Sequence, residues 1–161
     1  GIRYMPNETL RTNPTVDIDS STIGGPSAGL MFTLEVMNQL TDEDLTRGYE
    51  IAGTGQVFAD GTVGPIGGID FKVLSAAREG IDIFFAPHDD EAKKARAKGE
   101  QVMTNYEVAQ QVAKRLETSM KIVPVTHVED AVHYLEQLPM KEKLEAQSSR
   151  VESFDFPLVY S

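Results

Sequence analysis

The chain has no cysteine among its 161 residues. That absence excludes a disulfide scaffold, thiol catalysis and a zinc–thiolate site. It leaves the redox compartment open, because cysteine-free domains occur on both sides of a membrane. A basic surface is missing too. Lys and Arg total 15 against 25 Asp and Glu, a formal charge of −10. A nucleic-acid partner is therefore not expected. The densest basic run, Lys93, Lys94, Arg96 and Lys98, alternates with alanine and reads as a solvated helix face. No apolar run reaches the ~20 residues of a membrane span, and no signal-peptide pattern is visible. The sequence leaves room for an anchor or second domain upstream. Repeats at solenoid periods are absent. No G-x-x-x-x-G-K-S/T loop occurs, so ATP binding through a P-loop is not expected, and no cofactor or metal site is read.

What remains is the composition of a compact domain: 40% apolar and 25% charged residues. Its length is enough to bury a core without staples. Strands and helices alternate along it, which predicts an α/β (α+β) fold. The alternation Thr15-Val16-Asp17-Ile18-Asp19 predicts a first strand. A helix from Ala28 to Leu40 is apolar nearly all round and so is expected to be buried. Strands are predicted at residues 49–52 and 56–58, with Asp60-Gly61 as a tight hairpin turn. A helix over 69–79 is capped by Gly80, and a strand over 81–86 stops at Pro87. Helices follow near 90–98 and 106–116, then a strand at 121–125. A last helix over 128–138 is opened by Thr126. Residues 1–140 form the domain, and 141–161 form a tail that is either loose or docked on a partner.

Gly25-Pro26-Ser27-Ala28-Gly29 is a G-x-S-x-G pattern at the start of a helix. Backbone N–H groups at a helix start lack partners within the helix and carry the positive end of its dipole. They can hold the oxyanion formed when a serine attacks a carbonyl. The small neighbours Gly25, Pro26, Ala28 and, further on, Gly55 leave room for a substrate backbone. The serine needs a base. Of the three histidines, His88, His127 and His133, the last two fit structural or surface roles better. Lys72 is placed differently. It follows a glycine-rich turn in a short apolar helix with Ile69 and Ala76 on its face. Partial burial there is expected, which disfavours the charged amine as a general base requires.

Two segments carry a family resemblance. Gly25 to Gly29 resembles the nucleophile motif of the Lon protease family. Thr54-Gly55-Gln56-Val57, Gly61 and Gly64-Pro65-Ile66-Gly67-Gly68-Ile69-Asp70-Phe71-Lys72-Val73 resemble the segment bearing that family's lysine, and residues 76–81 continue the match. The likeness extends over roughly residues 14–138. It implies a fold like the second domain of ribosomal protein S5 and a serine–lysine endopeptidase. Ser27 is then the nucleophile, Lys72 the base, and Thr54 a hydroxyl near the amine that orients it. It also implies unfolded protein or peptide substrates and a homo-oligomer, commonly a hexameric ring. Gly24 and Gln56 stand where ATP-dependent Lon usually has acidic residues, which leaves less charge to hold Lys72 protonated. In this respect the chain looks more like membrane-anchored, PDZ-containing Lon-like proteases of Gram-positive bacteria. That subtype implies an ATP-independent enzyme outside the membrane. Two other readings stand beside it: an inactive binding or assembly module of the same fold, and an α/β-hydrolase esterase that uses a histidine.

Overall fold

A computed structural model describes residues 26–88, 90–100 and 102–142. The strand expected at 15–19, Gly24, Gly25 and the tail beyond 142 lie outside these residues. The architecture is built around Ile83–Pro87, strand β4, whose five residues are all buried. Alternate side chains of a strand point to opposite faces. Ile83 and Phe85 accordingly enter one core, and Phe84 and Ala86 enter another. A strand that is apolar on both faces must be covered on both. Its neighbours are β1 (Ile51–Gly53) and β5 (Lys121–Val125), both parallel to it, in the order β1-β4-β5. Parallel neighbours need crossover connections, and helices supply them.

On one face lie α1 (Gly29–Leu40) and α5 (Val128–Glu136), contributing Leu30, Leu34, Val128, Ala131 and Leu135. On the other lie α2 (Ile69–Arg78) and α4 (Asn105–Arg115), contributing Ile69, Val73, Ala76, Ala109 and Ala113. A further helix, α3 (Asp90–Ala97), leads from β4 towards α4. Between β1 and α2 the chain forms an antiparallel hairpin of β2 (Gln56–Val57) and β3 (Val63–Gly64).

The structure shifts several expectations. The α1 helix is not buried all round: Leu30 and Leu34 face the sheet, while Phe32 is 37% and Leu40 48% exposed. It is an outer-layer helix, so only its inner stripe needs to be apolar. The β4 strand continues through Pro87, which pairs in register with Val125. The hairpin turn is longer than a two-residue link. The Phe58 N–H donates to Thr62 O at 3.0 Å, the Gly61 N–H donates to Phe58 O at 2.9 Å, and Gly61 has φ 83°. That is a turn followed by a left-handed glycine, the common three-residue hairpin. In β5 the Lys121 N–H donates to Asp82 O at 2.8 Å, and Val125 O accepts from the His88 N–H at 2.9 Å. Odd residues therefore face β4, and Pro124 turns its missing donor to the open edge, where no ladder bond is lost.

The start of α5 also differs. His127, not Thr126, is the first flanking residue of the helix. The Asp130 carboxylate accepts from the Thr126 N–H at 2.7 Å, the His127 N–H at 2.9 Å and the Thr126 hydroxyl at 2.8 Å. Desolvation pushes the Asp130 carboxyl up. The bonds from His127 and Thr126 outweigh it and hold the group below its ordinary value of 3.8. A carboxyl with a lowered folded value stabilises the fold above the unfolded value, and that contribution fades as pH falls through the folded one. Asp130→Ala is therefore expected to cost about 1 kcal/mol at pH 7, the usual worth of a helix-start cap. In urea melts the gap to the native chain should narrow below about pH 4 and close in stronger acid.

Candidate functional site

The parallel strands all end at one rim of the sheet. Thr54 and Gly55 follow β1 there, His88 follows β4, and Thr126 and His127 follow β5. Open α/β sheets bind ligands outside these carboxyl ends. Ser27 is brought to this rim by three hydrogen bonds. It sits in a 3-10 turn, Pro26–Ala28, that runs straight into α1. Its carbonyl accepts from the Gly55 N–H at 2.9 Å and from the Thr54 hydroxyl at 2.9 Å. In return, the Leu30 N–H donates to Gly55 O at 3.0 Å. Thr54 is itself held to the sheet by its N–H on Phe85 O at 3.1 Å and is 1% exposed.

Gly55 is required at this junction for space. A Cβ there would lie 2.4 Å from Val63 Cγ1, closer than any real contact. Gly29, the last residue of the serine motif, is also closely faced, though less severely. A Cβ on it would meet the Val57 nitrogen at 3.0 Å. The motif's glycine thus lets the α1 start lie against the strand that holds it. Ser27 is half-buried, Ala28 is half-buried and Pro26 exposed. Among the described residues the Ser27 hydroxyl makes no hydrogen bond.

Lys72 stands in the first turn of α2. That helix follows Gly68, whose φ of 69° is left-handed and suits glycine. The buried stripe of α2 is Ile69, Val73 and Ala76. Lys72 falls outside that stripe and is exposed, contrary to the expected partial burial. Its neighbour Phe71 is 73% exposed. The C-terminal end of α2 leads back to the start of β4, where the Ile81 N–H donates to Ala76 O at 3.1 Å. The first turn of α2 therefore points to the rim that carries Ser27. No hydrogen bond joins Lys72 to Ser27 or to Thr54. The Thr54 hydroxyl gives its proton to the Ser27 carbonyl and so helps to fix the serine turn.

Sequence reasoning missed Asn105, the first residue of α4. Its Oδ1 accepts from the Ile66 N–H at 2.8 Å, and its Nδ2 donates to Ile66 O at 3.0 Å. One amide satisfies both polar groups of a residue six positions before Lys72. An asparagine after a threonine cap has no local pattern that announces a partner 39 residues away. The cap itself is complete. Thr104 Oγ1 accepts from the Glu107 N–H at 3.2 Å, and the Glu107 carboxylate accepts from the Thr104 N–H at 3.0 Å. That carboxylate also pairs with Arg96, and the Arg96 contact, ahead of all other causes, lowers its pKa.

The histidines take structural places. His88 Nδ1 lies 3.1 Å from Thr104 Oγ1, and its ring stands edge-on to Tyr106. His127 bridges to Thr62 and begins α5, and His133 is an exposed residue in its last turn. No hydrogen bond joins any of them to Ser27. Among the described residues no group of His, Asp or Glu is arranged to hold a metal ion, and no helix is long and apolar enough to cross a membrane.

These features describe a mixed α/β domain that presents a serine-bearing helix start at the carboxyl rim of its sheet. Residues 20–137 match the family described as the Lon protease (S16) C-terminal proteolytic domain, and the chain belongs to that family. It is 31% identical over 108 residues to the Lon protease of Elusimicrobium minutum, a stretch covering 67% of this chain and 11% of that protein. With the Lon protease of Metamycoplasma arthritidis it shares 32% over 111 residues, 69% of this chain and 11% of the relative. With Lon protease 1 of Bacillus subtilis it shares 39% over 67 residues, 42% of this chain and 8% of the relative. The chain thus spans only a small part of the curated relatives it matches.

The serine clasp is testable by stability. Thr54→Val removes one of two donors to the Ser27 carbonyl and should cost about 1 kcal/mol in urea unfolding. Gly55→Ala forces a Cβ into Val63 and should cost about 1–3 kcal/mol. Equal stability of Gly55→Ala and the native chain would show that the junction is not tightly packed.

Proposed function

We propose that this domain is a serine endopeptidase that hydrolyses peptide bonds through an acyl-enzyme without ATP, with Ser27 as nucleophile and Lys72 as its base. The observation that carries this reading is the clasp that fixes Ser27 at a helix start, on the rim towards which the first turn of α2 directs Lys72. In the reaction, neutral Lys72 Nζ takes the Ser27 Oγ proton as Oγ attacks the substrate carbonyl carbon. The oxyanion is held by N–H groups of the serine turn, where the α1 dipole favours negative charge. Lys72 returns the proton to the amide nitrogen as the C–N bond breaks. It then deprotonates a water that attacks the ester, which releases the acid and restores Ser27. Gly25, Pro26, Ala28 and Gly55 border the path of the substrate backbone in this scheme. Unfolded polypeptide is the substrate class that suits an open rim.

Membership of the anchored subgroup belongs to the same proposal. Gly24 and Gln56 support it; the proposal extends to an upstream PDZ domain, an anchor that places the domain outside the cytoplasm, and assembly into a homo-oligomer, in the hexameric case a ring. A second reading, an inactive binding module of this fold, draws on the exposure of Lys72 and its lack of a bond to Ser27.

Ser27→Ala and Lys72→Ala should each abolish cleavage of casein while leaving circular dichroism and the melting temperature unchanged. Normal cleavage by Lys72→Ala removes the dyad. A fluorophosphonate should label Ser27 in the native chain. Absence of any adduct, in every assembly state, favours the binding module instead.

A further inference from the structure

The helix that carries Lys72 is entered through a short, glycine-rich segment. Pro65, Ile66, Gly67 and Gly68 connect β3 to α2. Both of these glycines touch little: a Cβ on Gly67 would meet nothing within 4 Å, and one on Gly68 would meet only the Phe71 ring at 4.0 Å. Packing does not hold them. Ile69 is the first residue of α2 that packing does hold, at 4% exposed. Between β3 and Ile69 the residue tied to another element is Ile66, while Gly68 O accepts from the Lys72 N–H of its own helix at 3.3 Å. The Ile66 side chain packs against the core shared by α2 and α4, and both of its backbone polar groups are taken by the Asn105 amide.

We infer that Asn105 is a positioning residue for the base: by holding Ile66 at two points, it sets where the first turn of α2 begins and so where Lys72 stands relative to Ser27. The inference rests on the proposed serine–lysine reading. Lys72 lies six residues after Ile66 and three after Ile69. Two anchors on either side of the Gly67-Gly68 pivot leave the α2 start one direction of approach. Release of the first anchor leaves the helix packed through Ile69, Val73 and Ala76, yet its first turn is free to shift about the glycines. Misplacement of a catalytic group by about 1 Å can cost about a hundredfold in rate. Structural damage from the same change should be small, because Ile66 keeps its side-chain contacts.

Asn105 is in turn set by its neighbours. Thr104 before it is 1% exposed and holds His88 at the end of β4. Glu107 after it binds both the Thr104 N–H and Arg96 of α3. The lysine entry is thereby tied to the central strand through α4 rather than through the serine side of the rim. Both halves of the site are referenced to β4: Ser27 through Thr54 and Phe85 O, Lys72 through Asn105, Thr104 and His88.

The test uses the whole chain and three variants at one position. Asn105→Ala should lower kcat for a fluorogenic casein-derived peptide by about tenfold to a hundredfold. KM should stay within about twofold, and the midpoint of the pH–rate profile should move. Asn105→Asp keeps the acceptor for the Ile66 N–H but loses the donor to Ile66 O, and should fall between the two. Asn105→Leu, which fills the space without either bond, should behave like Asn105→Ala. Amide hydrogen exchange, which needs no activity, should speed up at residues 66–72 in Asn105→Ala and Asn105→Leu. Unchanged kcat and pH profile in a native-like Asn105→Ala overturn the inference, as does unchanged exchange over 66–72. If the native chain itself neither cleaves nor takes the fluorophosphonate label, the serine–lysine reading has failed. The exchange measurement then still decides whether Asn105 orders the α2 entry.

Discussion

The carbonyl of Ser27 receives two hydrogen bonds from the residues that follow β1, and much of the site depends on that acceptor. A helix start is an awkward place for a fixed side chain, because its first N–H groups lack helical partners and its ends fray. Here the fraying is prevented from outside. Gly55 gives its N–H to Ser27 and takes that of Leu30, so the turn and the strand end behave as one short ladder. The Thr54 hydroxyl adds a third bond from a fully buried side chain. Glycines at 29 and 55 are the steric condition for this approach, since a Cβ at either would enter the facing chain.

That clasp also explains which parts of the site the sequence could show. The G-x-S-x-G pattern and the glycine-rich stretch before Lys72 are local, and they are legible because a backbone approach leaves glycines behind. Ser27 at a helix start, the α2 boundaries, β5 and the glycine after α2 could all be read from periodicity and punctuation. The partner of the Thr54 hydroxyl could not be read so. That its proton goes to the Ser27 carbonyl depends on the fold, which brings together residues 27 apart in sequence. Asn105 left no trace at all, because its partner is Ile66, far away in sequence.

The errors of burial share one cause. An apolar stretch such as Leu30 to Leu40 states how much greasy surface a helix has, but not how many sides of it are covered. Two layers of helices around one sheet give each helix only an inner face, so Phe32 and Leu40 stay outside. The same reasoning buries Lys72, which the structure leaves exposed. Its face neighbours Ile69 and Ala76 are indeed buried, but the stripe runs through Val73, and Lys72 lies beside it.

The exposure of Lys72 bears directly on the proposed mechanism. A lysine takes a proton from serine only as the neutral amine, and water favours the charged one. An exposed amine therefore needs desolvation before it can act as base. What can cover the amine is a group arriving at the open rim: an unfolded chain laid across it, or an apolar surface meeting the exposed Phe71 beside it. On the proposed serine–lysine reading, substrate binding and activation are the same event, since the chain that presents its carbonyl to Ser27 also excludes water from Lys72. Such a site needs a preset nucleophile and a base held at its root but free at its tip. The clasp at Ser27 and the anchored entry to α2 provide that division.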